Sequence, residues 1–259
     1  MFIGIGMNVV IGGELAAPAS LFAGGEPGVW FDPSDLTTLF QDSAGTTPVT
    51  AAGQPVGRML DKSGRGNHAT QSTSASRPTY QVDSTGRAYL SFDGVDDWMV
   101  TPTITPGTDK SQVFAGVRKL SDTAANILEL SAGIVGNNGS IRLSMTQTQY
   151  IFTSKGTVQA LAVTTGTITA PITNVLAGIG DIAADRSIIR NNGVIQATTT
   201  TDQGTGNYLA YPIYIGSRNG TALLLNGRIY SLIVRFGPNL TTGQITSTES
   251  WVNGKTGAY

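Results

Sequence analysis

Short apolar stretches broken by Gly, Asn, Asp and Pro recur along most of this chain at intervals of about ten residues, the rhythm of a sandwich built from many short strands. Within some of them the alternation is strict. Ile141, Leu143 and Met145 interleave with Arg142, Ser144 and Thr146, which makes a strand with one dry and one wet face. The pattern predicts strands over 87–93, 97–101, 111–118, 126–131, 140–145, 149–154, 173–180, 185–190, 194–199, 211–216 and 226–236. Asn192-Gly193 predicts a tight hairpin, because both central residues of a type I′ turn need positive φ. Helix is expected in two places only. Ser34 or Asp35 would cap a short helical turn through Phe40, and a second helix would start near Leu240 and run through Glu249, Trp251 and Val252 on one apolar stripe.

Composition supports this reading. Charged residues make up 13% of the 259 residues, against about 25% in an average soluble protein. Polarity comes from Thr, Ser, Asn, Gln and Gly, a turn-rich and β-rich mixture. The net charge of −1 gives no general attraction to nucleic acid or to anionic membranes. There is no cysteine, hence no disulfide, thiolate metal site or cysteine nucleophile; this leans toward a chain folded in a reducing cytosol.

Two stretches in the first half are the most distinctive. One is Asp61-Lys62-Ser63-Gly64-Arg65-Gly66-Asn67-His68-Ala69-Thr70, and the other is Ser91-Phe92-Asp93-Gly94-Val95-Asp96-Asp97-Trp98. Glycines supply positive φ there, while Asp, Ser and Asn side chains can bond neighbouring amides. Together they resemble the laminin G-like, concanavalin A-like jelly-roll family, which carries a D-S-G-x-G-N-H turn followed by an F-D-G-x-D-D-Y/W segment. Later elements fit the same family: Arg186–Val194 with its Asn-Gly turn, Tyr214–Ser217, and Leu225–Val234 as closing strands. At Leu240–Ile245 relatives carry an L-S-x-x-E-I helix start, and Gln244 stands here in place of the acid. The resemblance implies an all-β, antiparallel two-sheet sandwich over residues 29–259, preceded by an extended N-terminal segment, residues 1–28. The wording from Val29-Trp30-Phe31-Asp32 through Gln41-Asp42, with Gly45-Thr46-Thr47-Pro48-Val49, is similar to a subgroup found in tailed-phage and prophage virion proteins.

Candidate chemistry is sparse. His68 is the sole histidine, and the glutamates (Glu14, Glu26, Glu129, Glu249) lie far apart in sequence. The glycosidases of this sandwich class place closely spaced carboxylates on one strand, because one must protonate the leaving group while another attacks or activates water. No such E-x-D-x-E strand exists, nor a G-x-S-x-G elbow. The expectation is a protein that is not an enzyme. Asp93, Asp96 and Asp97 form the densest acidic group, which reads either as turn capping or as a calcium site, joined by Asp61 and Asn67 if the two turns meet. For glycan contact, Tyr208 and Tyr211 beside a Gly/Asn-rich loop are expected to be exposed, with Asn207, Asn137, Asn138 and Asn219 as hydroxyl partners.

The segment 1–28 begins with Phe2, Ile3, Ile5, Met7, Val9, Val10 and Ile11, but has no basic n-region, and its glycine-broken apolar run is too short to span a bilayer. It reads as a docking segment onto other virion proteins or neighbouring copies, making a homo-oligomer. The resulting expectation is a virion component, at the tail or on the capsid surface, made in the host cytoplasm and presenting a lectin-like sandwich to host-surface glycan. The alternatives are a bacterial carbohydrate-binding or adhesion module and, disfavoured by the carboxylate census, a polysaccharide-acting enzyme.

Overall fold

The computed structural model describes residues 18–259. In chain order the first strands are β1 (Gly28–Phe31), β2 (Leu39–Phe40), β3 (Arg58–Met59), β4 (Ala69–Thr70), β5 (Thr79–Val82) and β6 (Ala88–Asp93). Next come β7 (Met99–Val100), β8 (Lys110–Lys119), β9 (Ala125–Leu130), β10 (Ser140–Met145), β11 (Tyr150–Lys155) and β12 (Gln159–Val163). The last are β13 (Ile172–Asp181), β14 (Arg186–Asn191), β15 (Val194–Thr199), β16 (Ile213–Ile215) and β17 (Asn226–Phe236), followed by helix α1 (Thr242–Thr256).

The strands form two antiparallel sheets that pack as a jelly-roll-type β-sandwich. The eight-stranded sheet runs β15-β14-β13-β8-β17-β6-β5, with β1 also paired to β17. The nine-stranded sheet runs β12-β11-β10-β9-β16-β7-β4-β3-β2. β8 shows how alternation sorts the faces. Val113, Ala115 and Val117 join the inter-sheet core with Leu90, Phe92, Leu128, Leu143 and Phe152, each large side chain worth about 1.5–3 kcal/mol when fully buried. Gly178 on β13 is needed for that closeness, since a Cβ there would overlap the Phe152 ring from the opposite sheet.

The alternate β8 residue Phe114 faces outward with Val175, Ala177 and Ile233, and this second apolar patch is covered by Leu21, Phe22, Trp30 and Val252. Helix α1 seats closely because Gly116 has no side chain; a Cβ there would lie 2.5 Å from Thr256 Cγ2 and 3.1 Å from Val252 Cγ1. Its start is a reciprocal capping box, Thr241 with Gln244, so the glutamine fills the role of the family's acid. Glu249 on the buried face of α1 is 0% exposed and accepts a two-pronged contact from Arg190, at 2.8 and 3.0 Å. None of the helices among the described residues is long and apolar enough to cross a membrane.

The structure departs from the sequence pattern in three ways. First, residues 18–28, assigned above to the lead, belong to the sandwich. Pro18–Phe22 forms a 3-10 turn on the outer patch, and buried Arg235 of β17 donates to Leu21 O at 2.7 Å and to Glu26 Oε1 at 2.9 Å. Residues 1–17 of the expected docking segment lie outside the described residues. Second, the turn capped by Asp35 is only Leu36–Thr38, after which the chain extends into β2. Third, β1 to β5 and β12 carry no prediction. β2, β3 and β4 are two residues each, too short to show a period, and β1 is buried at all four positions and so does not alternate.

Candidate functional site

The Asp61–His68 turn is a fastening. Buried Asp61 accepts through Oδ1 from the amides of Trp30 and Ser63, both at 2.9 Å. Its Oδ2 accepts from Ser63 Oγ at 2.7 Å and from the Asn67 amide at 3.0 Å. The Asn67 side chain donates to Gly28 O at 2.9 Å, so both residues pin the turn to β1. His68 Nδ1 accepts the Asp61 amide proton at 3.0 Å, which requires a neutral ring at that nitrogen. Burial, and then the charge of Arg58, push the His68 pKa below its ordinary value against the opposing pull of Asp61. The sole histidine is therefore structural.

Asp93, Asp96 and Asp97 do come together: among the described residues their ligand atoms lie within 4.8 Å of one another. Asp61 is not part of that group, and both Asp61 and Asn67 are engaged with β1 instead, through Trp30 N and Gly28 O. Asp97 Oδ2 accepts from the Asp93 amide at 3.0 Å, and Asp93 Oδ1 accepts from Val95 at 2.8 Å and Asp96 at 3.3 Å. Asp96 Oδ2 accepts from Ser76 Oγ at 3.3 Å. One oxygen on each carboxylate is left without a protein donor, a set that fits a hard divalent cation completed by carbonyls or water. Asp97 is 7% exposed. Burial, then the charges of Asp93 and Asp96, push its pKa up to about 6.

The six residues expected to meet glycan fall into two places. Leu209 N donates to Gly139 O at 2.7 Å, so the loop of Asn137 and Asn138 meets the loop of Asn207. Asn138 and Asn207 are exposed, and Asn137 and Tyr211 half-buried. Tyr208 is not exposed as expected: it is 2% exposed, with its hydroxyl 2.6 Å from Ser154 Oγ and its ring 5.8 Å from Phe236. Burial raises its pKa. Asn219 instead belongs with the acidic loop. Its neighbour Gly220 is pressed against the Trp98 ring, where a Cβ would lie 2.6 Å from Cε2. Trp98 in turn packs on Tyr214 at 6.0 Å, and both are half-buried. The other tryptophans are engaged elsewhere, Trp30 edge-on to Trp251 at 5.7 Å.

The described glutamates are each held by an arginine: Glu26 by Arg235, Glu129 by Arg218 and Glu249 by Arg190. Ser76 and three arginines, Arg87, Arg118 and Arg228, enter the picture only through the fold, since long-range pairing brings them to their sites.

No family model matches the chain, and no curated protein sequence matches it. Solved structures do. The receptor binding domain of botulinum neurotoxin D is similar over 74% of this chain and 50% of that one, with a TM-score of 0.57 and 10% identity. The serotype G binding domain gives a TM-score of 0.57 at 12% identity over 75% and 48% of the two chains. A type C structure, from a toxin whose cell entry depends on interaction with two ganglioside molecules, gives 0.59 at 13% identity over 88% and 51%. The chain thus spans about half the length of these structures. At such identities the likeness is one of fold.

Asp97 sets a testable pH dependence. A carboxyl whose pKa rises from 3.8 unfolded to about 6 folded binds more protons folded than unfolded between those values, so stability falls as pH rises through that window. Urea denaturation from pH 4 to pH 7 is expected to show Asp97→Asn gaining stability over wild type progressively toward neutral pH. A constant difference between the two proteins would contradict the assignment.

Proposed function

We propose that this chain is a non-catalytic attachment module, a virion component whose lectin-like sandwich binds host-surface glycan. The observation that carries the glycan reading is the half-buried Trp98–Tyr214 pair beside the Asn219 loop and the three-carboxylate cluster. An aromatic face, amide side chains and a cation are complementary to a sugar's apolar face and hydroxyls. The similar fold of toxin domains described as receptor-binding supports it. The arginine-paired glutamates support a non-catalytic role, because a carboxylate locked in an ion pair is poorly placed to exchange a proton. The virion part rests on the wording of Val29–Asp42 and of the Asp61–Thr70 turn. Residues 1–17, apolar in sequence, are proposed as the segment that joins the sandwich to other virion proteins or to its own copies.

Labelled protein on a glycan array is expected to retain a defined subset of glycans and to leave them intact. Trp98→Ala is expected to weaken that binding about tenfold, the scale of one lost aromatic contact. Binding to no glycan, or release of cleaved sugar, would overturn the reading. Calcium at the Asp93–Asp97 loop is expected to raise the melting temperature at pH 7.5 by mass action, and Asp97→Asn to abolish that rise. A melting temperature indifferent to millimolar calcium and chelator would remove the cation from the account.

A further inference from the structure

The outer face of the eight-stranded sheet carries a groove of about 600 Å³ at the C-terminal end of α1, away from the residues assigned to glycan contact above. Its floor is built by register. Arg228 of β17 lies opposite Arg118 of β8 and opposite Ser91 of β6, and Arg87 comes just before β6. The Arg228 guanidinium lies over the Tyr89 ring at 4.4 Å from its centre, and Tyr89 packs on Tyr230 at 5.3 Å. Arg118 donates to Thr173 Oγ1 at 3.0 Å, while its buried Nε has no partner. Arg87 donates to Thr85 Oγ1, and Gly257, with no side chain, leaves room for its guanidinium.

Charge is what defines this groove. Among the described residues seven of the 16 Lys and Arg side chains form ion pairs. Of the nine that form none, Arg87, Arg118 and Arg228 line this one groove. The single acid on the groove, Asp83, accepts through Oδ1 from the Thr85 amide and hydroxyl and the Arg87 amide, at 2.8, 2.6 and 3.0 Å. Three guanidinium groups thus converge in a chain whose net charge is −1. A merely solvated face would not need them fixed on a tyrosine ring and on threonine hydroxyls. Holding them so removes much of the ordering cost of binding and leaves their forks open to the paired oxygens of a carboxylate or sulfate.

We propose that this groove binds an acidic oligosaccharide, its carboxylate or sulfate groups engaged by Arg87, Arg118 and Arg228 and its hydroxyls by Thr85, Ser84 and Thr173. The volume suits one or two sugar rings. The inference goes beyond the glycan site at Trp98, since it stands on another face and on different chemistry.

The test is calorimetric titration of the full chain with four probes: an oligogalacturonate, a chondroitin sulfate hexasaccharide, neutral maltohexaose and inorganic sulfate. At least one acidic oligosaccharide is expected to bind about tenfold or more tighter than maltohexaose and inorganic sulfate, with affinity falling as salt rises. Arg118→Gln and Arg228→Gln are each expected to weaken it about tenfold, and Arg228→Lys, which keeps charge but not the fork, to recover only part. Unchanged melting temperatures would show that each variant folds; should Arg228→Gln unfold, Arg118→Gln decides. Equal affinity for maltohexaose, no acidic oligosaccharide bound, or affinity untouched by Arg118→Gln would overturn the proposal. Acidic binding lost in Trp98→Ala but kept in the arginine variants would overturn the groove while leaving the attachment reading intact.

Discussion

An antiparallel sheet with apolar side chains on both faces needs two partners, and the eight-stranded sheet here finds its second one at opposite ends of the chain. Its inner face packs on the nine-stranded sheet. Its outer patch around Phe114, Val175 and Ile233 is covered by Leu21 and Phe22 from one end and Val252 of α1 from the other. Arg235 ties the first cover down through Leu21 O and Glu26, and Arg190 ties the second through buried Glu249. These tethers also give two of the three described glutamates, Glu26 and Glu249, their place. Removing either partner of the Arg190–Glu249 pair would leave a buried charge uncompensated, which costs far more than an exposed pair contributes.

The helix in that cover ends at Thr256, and past its end the strand positions that continue the outer face change character. On β8 the outward series runs Phe114, Gly116, Arg118, from greasy contact, through close helix approach, to an unpaired guanidinium. The same sheet therefore serves as core under the helix and as a charged, hydroxyl-lined surface past its end. The Asp93–Asp97 loop follows directly from β6, the strand that carries Tyr89, so one strand contributes to both polar regions.

Much of this was legible in the sequence, for identifiable reasons. The alternating β10 declares its faces, β8 and β17 read as strands from their apolar runs between turn residues, and the start of α1 near Leu240 reads in place. What could not be read depends on contacts between distant residues. Tyr208 follows a Gly/Asn-rich loop and reads as exposed, yet it is buried because Gly180 on β13 leaves space for its hydroxyl. Asp61 looks like a spare oxygen ligand until Trp30, Ser63 and the Asn67 amide are found to occupy both its oxygens, and Asn67 until its side-chain nitrogen is found donating to Gly28 O. Asp93, Asp96 and Asp97 were found because they are local. Arg118 and Arg228 sit 110 residues apart in the sequence, and only the β8–β17 register makes them neighbours.

The most direct measurement of this account is an NMR titration of the isotope-labelled chain with an acidic oligosaccharide, following amide shifts residue by residue. The account predicts saturable shifts concentrated at Arg87, Tyr89, Arg118, Arg228 and Gly257, around the end of the helical cover. Shifts confined to the loops of Asn137, Asn207 and Asn219, or none at all, would contradict it.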